Sequence, residues 1–300
     1  MRVLAIDGGG IRGLIPAVVL AEIERRTGKA ISDLFDLVAG TSTGGILACA
    51  LTRPHPADPS RARFSASELI QLYQEEGPEI FGRDLLKRVR SADGYLDERY
   101  DDKGLVASLR RHLGPARLSD ATVLTMVTAY DLQARCALLL RSDSDDVSMV
   151  DAAHASSAAP TYFEPLRLGA RTLVDGGVGA INPALYAYAE GAGRPDLLLS
   201  LGTGELTRPL PFAQVKDWGR LEWAPVIVDV VFDAGSDAVE MQLDALMGDG
   251  YIRLQTRLDT ASDALDDTSP RNLAALRREA ERLIAARDDE IDRLCARLTA

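Results

Sequence analysis

Short apolar runs closed by glycine-rich or polar turns alternate along this chain with longer stretches in which apolar side chains return every three or four positions. The first pattern marks buried strands and the second amphipathic helices, so the chain reads as strands alternating with helices around one sheet. Residues 3–6 form such a run, which ends at Asp7; a glycine-rich loop follows to Gly13, and 14–26 carry a helical pattern stopped by Gly28. The same order returns at 37–39, a strand closed by Gly40, with Ser42 at the turn and a small apolar helix over 45–51. Further strands are expected at 123–129, Cys136–Arg141, Leu197–Leu201 and 251–258. Leu166–Leu168 and 172–174 read as a hairpin around Gly169.

Helical spacing is clear at 65–81, where Ser65 and Glu68 form a capping box ahead of Leu69, Leu72, Tyr73 and Ile80. A short helix at 103–112 ends at Gly114. Another, at 150–159, is rich in small residues, carries His154, Ser156 and Ser157, and stops at Pro160. Residues 212–247 read as helices that would cover a site as a lid. Arg83, Lys87, Arg88 and Arg90, set around Leu85, Leu86 and Val89, read as a solvated helix face in preference to a lipid-headgroup contact. The proline-rich patch 53–60 reads as a surface loop. The last segment, about 270–299, opens on Ser269 as cap with Pro270 in the first turn, and places Leu273, Leu276, Leu283, Ile291, Leu294 and Leu298 on one face. It is expected to be one amphipathic helix packed on the body, with a homodimer seam as the alternative.

Composition narrows the picture. Three hundred residues with 46 % hydrophobic content bury a large core, and neither a linker nor a repeat divides them, so a single domain over 1–300 is expected. The start lacks a signal-peptide core, and the apolar stretch 224–232 contains Pro225 and Asp229 and falls short of the ~20 residues a membrane span needs, so a soluble cytoplasmic protein is expected. A net charge of −11 disfavours nucleic acid, and also docking on anionic lipid by bulk electrostatics; any membrane-surface contact would be local, apolar and transient. Cys49, Cys136 and Cys295 are odd in number and show no metal-binding spacing, so reduced core thiols and no metal are expected.

Two glycine-rich turns and one acidic turn carry the candidate chemistry. Gly40 to Gly44 spell G-x-S-x-G, which lets Ser42 adopt a strained conformation and present its hydroxyl. Such a turn arises by chance about once in ten chains of this composition, so its weight comes from the strand-turn-helix setting. The loop from Gly8 to Gly13 frees backbone N–H groups for an anion at a helix start and is a candidate oxyanion hole. It also matches G-x-G-x-x-G, but the next strand ends in Gly40-Thr41-Ser42 with no acid for a ribose, and Asp7 would repel a pyrophosphate; a nucleotide-binding enzyme using this loop is the remote alternative. Asp175, followed by Gly176 and Gly177 at a strand end, suits a base that must reach a serine, and also fits an ordinary Asp-Gly turn. Only three histidines occur and none follows His154, whereas an α/β-hydrolase triad places its histidine last. His154, near Ser157, is the histidine that would compete for the role of base.

Together, DGGGIRG at 7–13, GTSTGG at 40–45, SSAAP at 156–160 and DGG at 175–177 resemble the patatin-like phospholipases over most of the chain, and the pattern at 266–276 looks like the bacterial members. The resemblance implies a three-layer α/β/α fold with a mostly parallel central sheet, a Ser-Asp dyad in place of a triad, no cofactor, and hydrolysis of acyl esters in phospholipids or related lipids. By resemblance Ser42 is the nucleophile and Asp175 its base. The N–H groups of Gly9 and Gly10 would form the oxyanion hole, with Gly8 and Gly13 shaping the loop and Arg12 fixing it. An unperturbed aspartate titrates near ~3.9 and is a weak base for serine, so a desolvated site is expected. The bacterial branch includes effectors switched on by cyclic nucleotides, which leaves a gated phospholipase with a small nucleotide activator as one alternative; a non-catalytic lipid-binding or storage protein is another. His154 stands where the family pattern has arginine, and Ile181 precedes Asn182-Pro183 where asparagine is usual.

Overall fold

Val3, Leu4, Ala5 and Ile6 are wholly enclosed, and their strand forms the centre of the fold in a computed structural model that describes residues 1–80, 102–191, 195–205, 209–223 and 226–300. The basic patch at 83–90 lies outside the described residues. In chain order the strands are Arg2–Ile6 (β1), Leu37–Thr41 (β2), Pro54–His55 (β3), Asp58–Ala62 (β4), Leu124–Asp131 (β5), Cys136–Arg141 (β6), Leu166–Leu168 (β7), Arg171–Asp175 (β8), Leu197–Leu201 (β9) and Tyr251–Leu254 (β10). Among the described residues one sheet runs β10-β9-β1-β2-β5-β8-β7, with β6 paired to β5. The strands from β10 to β5 are parallel, and the others join through antiparallel pairs.

Side chains alternate between the faces of a strand, and on β1 that alternation feeds two cores. Leu4 and Ile6 pack with the helices Leu14–Thr27 (α1), Thr43–Thr52 (α2), Ala66–Ile80 (α3), Lys103–Leu113 (α4) and Met149–Ser157 (α5). Val3 and Ala5 pack with Leu37, Ala39 and Leu198 beneath Ala184, Ala187 and Leu243, which belong to the helices Ala184–Glu190 and Ile227–Met247 (α6). The result is the three-layer α/β/α arrangement that near-continuous apolar strands require, since both faces must be covered.

One register positions the chemistry. Residues Leu124 to Thr128 of β5 pair with β2, and the next three, Ala129 to Asp131, pair with β8, setting Asp175 opposite Ala129. The C-terminal ends of β2 and β8 are thereby brought together around Thr128, whose Oγ1 lies 2.7 Å from that of Thr41.

The structure departs from the sequence expectation in several places: the strand expected at 251–258 ends at Leu254, and Cys136, expected in the core, is exposed. The proline-rich patch contains the hairpin β3-β4. The predicted helix at 150–159 runs from Met149 to Ser157, capped by Ser148, whose hydroxyl accepts from the Asp151 N–H. The C-terminal segment is two helices, Pro270–Ala286 (α7) and Asp288–Thr299 (α8), broken at Arg287. The break lets Asp288 and Asp292 of α8 each reach the Arg26 guanidinium of α1 at 2.6 Å. Leu276, Ile291, Leu294 and Leu298 are then fully enclosed by the chain's own body, and that face offers no dimer seam. Leu276→Ala is therefore expected to cost about 2–5 kcal/mol in urea unfolding; a loss below about 1 kcal/mol would show that α7 does not pack as described.

Candidate active site

Ser42 caps α2 at φ 54°, ψ −122°, a left-handed region that costs a non-glycine residue roughly 1–3 kcal/mol. Its neighbours hold it there. The Ser42 N–H donates to Ser156 Oγ at 2.7 Å, and its carbonyl accepts from the Ile46 N–H at 3.0 Å. Glycine is needed on both sides because a Cβ on Gly40 would lie 2.0 Å from the Gly44 carbonyl oxygen, and one on Gly44 would lie 2.1 Å from that of Ile6. The turn thus trades backbone strain for a hydroxyl presented to the cavity at the start of a helix, where partial positive charge gathers.

That hydroxyl donates to Asp175 Oδ2 at 2.6 Å, while Oδ1 accepts from the Gly177 N–H at 2.7 Å. Gly176 packs on Thr128 with no space for a Cβ, so the carboxylate is held from below by the strand that set its register. Both side chains are buried. Burial pushes the Asp175 carboxyl up to about 6, against the opposing hydrogen bonds from Ser42 and Gly177.

The glycine loop lies directly beside the serine, since a Cβ on Gly8 would sit 3.2 Å from that of Ser42. The Gly8 N–H donates to the Ile181 carbonyl at 3.0 Å, its carbonyl accepts from Thr203 Oγ1 at 2.6 Å, and the Ile11 N–H donates to the Leu265 carbonyl at 2.9 Å. The Arg12 N–H closes the turn onto the Gly9 carbonyl at 3.1 Å. Among the described hydrogen bonds none takes up the N–H of Gly9 or Gly10, and both residues line the cavity that contains Ser42.

The cavity measures about 620 Å³ and its walls are mainly apolar. Helix α2 contributes Thr43, Ile46 and Ala50, α3 contributes Tyr73, Gly77 and Ile80, and α4 contributes Leu105, Leu109 and Leu113. These are one-face spacings of a helix, so the cavity follows the groove between the three helices away from Ser42. Ile227, Val231 and Phe232 of α6 also line it, at the position the sequence assigns to a lid. Among the described residues no cluster of three or more His, Cys, Asp or Glu side chains is placed to hold a metal ion, and no helix is long and apolar enough to cross a membrane.

The histidines separate. His154 is buried on α5, does not line the cavity, and has Nε2 3.6 Å from Asp102 Oδ2; burial lowers its pKa. His112, which no motif signalled, does line the cavity, but its Nε2 lies 2.6 Å from Glu76 Oε1. Sequence reasoning also missed Ser156 as the acceptor behind the nucleophile, although it stands in the SSAAP run. It missed Arg253 altogether, which binds Asp7 in the strand end before the glycines.

The model of the family described as patatin-like phospholipase matches residues 4–188, a span that includes the glycine loop, Ser42 and Asp175. Patatin-like protein 2 of Arabidopsis thaliana is 33 % identical over 341 residues, covering 95 % of this chain and 83 % of that protein. Patatin-16 of Solanum tuberosum is 30 % identical over 332 residues, with coverages of 95 % and 83 %. Among solved structures, VipD from Legionella pneumophila aligns with a TM-score of 0.43 at 13 % identity, over 95 % of this chain and 67 % of its own. The type III effector protein ExoU aligns with a TM-score of 0.45 at 12 % identity, over 97 % and 53 %. At that distance neither structure bears on the site.

Asp175 yields a prediction with a fixed sign. In the unfolded chain it titrates near 3.8 and in the folded chain at about 6, so the unfolded state ionises first and stability falls as pH rises from about 4 to about 6. The gap corresponds to roughly 3 kcal/mol above pH 7. Asp175→Asn is expected to raise stability at pH 8 by about 1–3 kcal/mol in urea unfolding. A destabilised variant would show that the carboxylate is not held against its burial.

Proposed function

The chain belongs to the patatin-like phospholipase family, a family of lipid acyl hydrolases, and from that premise we propose that it cleaves acyl esters of phospholipids or related lipids with a Ser42–Asp175 dyad. The observation that carries this reading is the 2.6 Å hydrogen bond from Ser42 Oγ to Asp175 Oδ2 at the head of an apolar cavity.

In this reading Asp175 takes the hydroxyl proton as Oγ attacks the ester carbonyl. The carbonyl oxygen becomes an oxyanion and is received by the N–H groups of Gly9 and Gly10. Collapse of the tetrahedral intermediate expels the lysolipid alkoxide, which takes its proton from Asp175, and leaves the acyl group on Ser42. Water then attacks the acyl-enzyme, with Asp175 again accepting the proton and returning it to Ser42 as the fatty acid leaves. A carboxyl at about 6 is ionised at neutral pH yet a better base than a solvated aspartate, so burial supplies part of what an imidazole supplies in a triad. The acyl chain fits the groove between α2, α3 and α4, where its apolar surface meets apolar walls. A lipid store would need the cavity but not a serine held in a strained turn, which is why the hydrolase reading is preferred to a binding protein.

With a soluble short-chain ester, Ser42→Ala and Asp175→Asn are each expected to lower kcat by about 1,000-fold or more. Ser42→Ala should also abolish labelling by a fluorophosphonate probe. His154→Gln should stay within about threefold of wild type, since it does not reach the cavity, and wild-type activity should fall on acidification below about pH 6. Hydrolysis that survives Ser42→Ala sinks the proposal, and hydrolysis that appears only on addition of a cyclic nucleotide would make the chain a gated effector.

A further inference from the structure

The three glycines at 8–10 have the greatest backbone freedom of any residues, so the aim of the Gly9 and Gly10 N–H groups must be set by what anchors the loop. The Ile181 carbonyl and Thr203 hold Gly8, and the Leu265 carbonyl holds Ile11. A further anchor is Asp7, the last residue before the glycines. Its N–H donates to the Leu201 carbonyl at 3.0 Å, and its side chain is gripped by Arg253 of β10. Arg253 Nη2 donates to Asp7 Oδ2 at 2.6 Å and Nη1 to Oδ1 at 3.0 Å, a two-pronged pair with both side chains almost wholly buried.

The same guanidinium extends outward. Nη1 also donates to Ser200 Oγ on β9 at 2.8 Å, Nη2 donates to Ser236 Oγ on α6 at 3.2 Å, and Nε lies 3.7 Å from Glu240 on α6. Arg253 therefore joins the start of the glycine loop to the helix whose first turns border the cavity. Stability alone is a poor account of such a cluster, because a buried ion pair commonly stabilises no more than apolar residues of the same volume. What two parallel N–H···O bonds add is direction, since the planar fork fixes the carboxylate in position and in rotation.

We propose that Arg253 is a positioning residue for ester hydrolysis, which holds Asp7 and thereby aims the Gly9 and Gly10 N–H groups at the oxyanion. The inference rests on the reading of that loop as the oxyanion hole. Such a residue acts on the transition state and not on substrate binding, so its loss lowers kcat and leaves KM in place.

The test compares wild type, Arg253→Gln, Arg253→Lys and Asp7→Asn on a soluble short-chain ester. It also measures their affinity for an alkyl trifluoromethyl ketone, which adds to Ser42 Oγ as a hemiketal oxyanion. Arg253→Gln is expected to lower kcat about 100-fold, the scale of a misplacement near 1 Å, with KM within about threefold. Ketone affinity should fall by a similar factor. Arg253→Lys and Asp7→Asn each keep part of the bridge and should lose about tenfold; they decide the matter if Arg253→Gln does not fold. Folded variants that keep wild-type kcat and ketone affinity, or that raise KM alone, overturn the proposal while a dead Ser42→Ala leaves the hydrolase reading standing. Hydrolysis that persists in Ser42→Ala overturns both.

Discussion

A serine and an aspartate 133 residues apart meet at 2.6 Å because one strand serves two neighbours in succession. Strand β5 pairs with β2 as far as Thr128 and with β8 from Ala129 onward. A one-residue slip of either pairing would turn Asp175 to the opposite face of the sheet. The slip is resisted by the apolar residues that alternate between the two cores, and by the packing of Gly176 on Thr128. The geometry of the site is in this sense a property of the sheet, with the Ser42 and Asp175 turns as its visible ends.

Much of this was legible in the sequence, for a physical reason. Buried parallel strands must be short, apolar and closed by turns, and a backbone that passes within van der Waals reach of another must be glycine. Residues 3–6, 37–39 and Leu197–Leu201 read correctly on the first count, and Gly40 and Gly44 on the second. The break at Arg287 was hidden because helical periodicity carries on through it, and the partner that the second helix meets there, Arg26, lies more than 250 positions earlier in the chain. The hairpin β3-β4 was hidden because its exposed polar residues have no apolar alternation. Arg253 was invisible because a single charged residue within an apolar run carries no information about which carboxylate it will meet.

His112 and His154 show how composition and geometry divide the work. The count and order of histidines argued against a triad, and the structure adds where each ring lies. The one that reaches the cavity is engaged by Glu76, and the one nearest Ser157 in sequence is buried toward Asp102. Glu76 also accepts from Ser108 and Arg111, so α3 and α4 are pinned together at the wall of the cavity. Polar contacts there hold the shape of a groove whose interior is apolar.

That groove and the dyad proposed here depend on the same physical condition. An aspartate open to water would titrate too low to draw a proton from serine, and a cavity open to water would not take an apolar chain. Burial answers both needs: it lifts Asp175 to about 6 and it surrounds the space beside Ser42 with aliphatic side chains. The cost is carried by the fold, as a carboxylate that would be more comfortable neutral and a serine at positive φ. A site of this kind cannot be relaxed in its backbone or its electrostatics without losing the chemistry proposed for it. The large packed core around it, with strands covered on both faces, is what keeps those two strained residues in place.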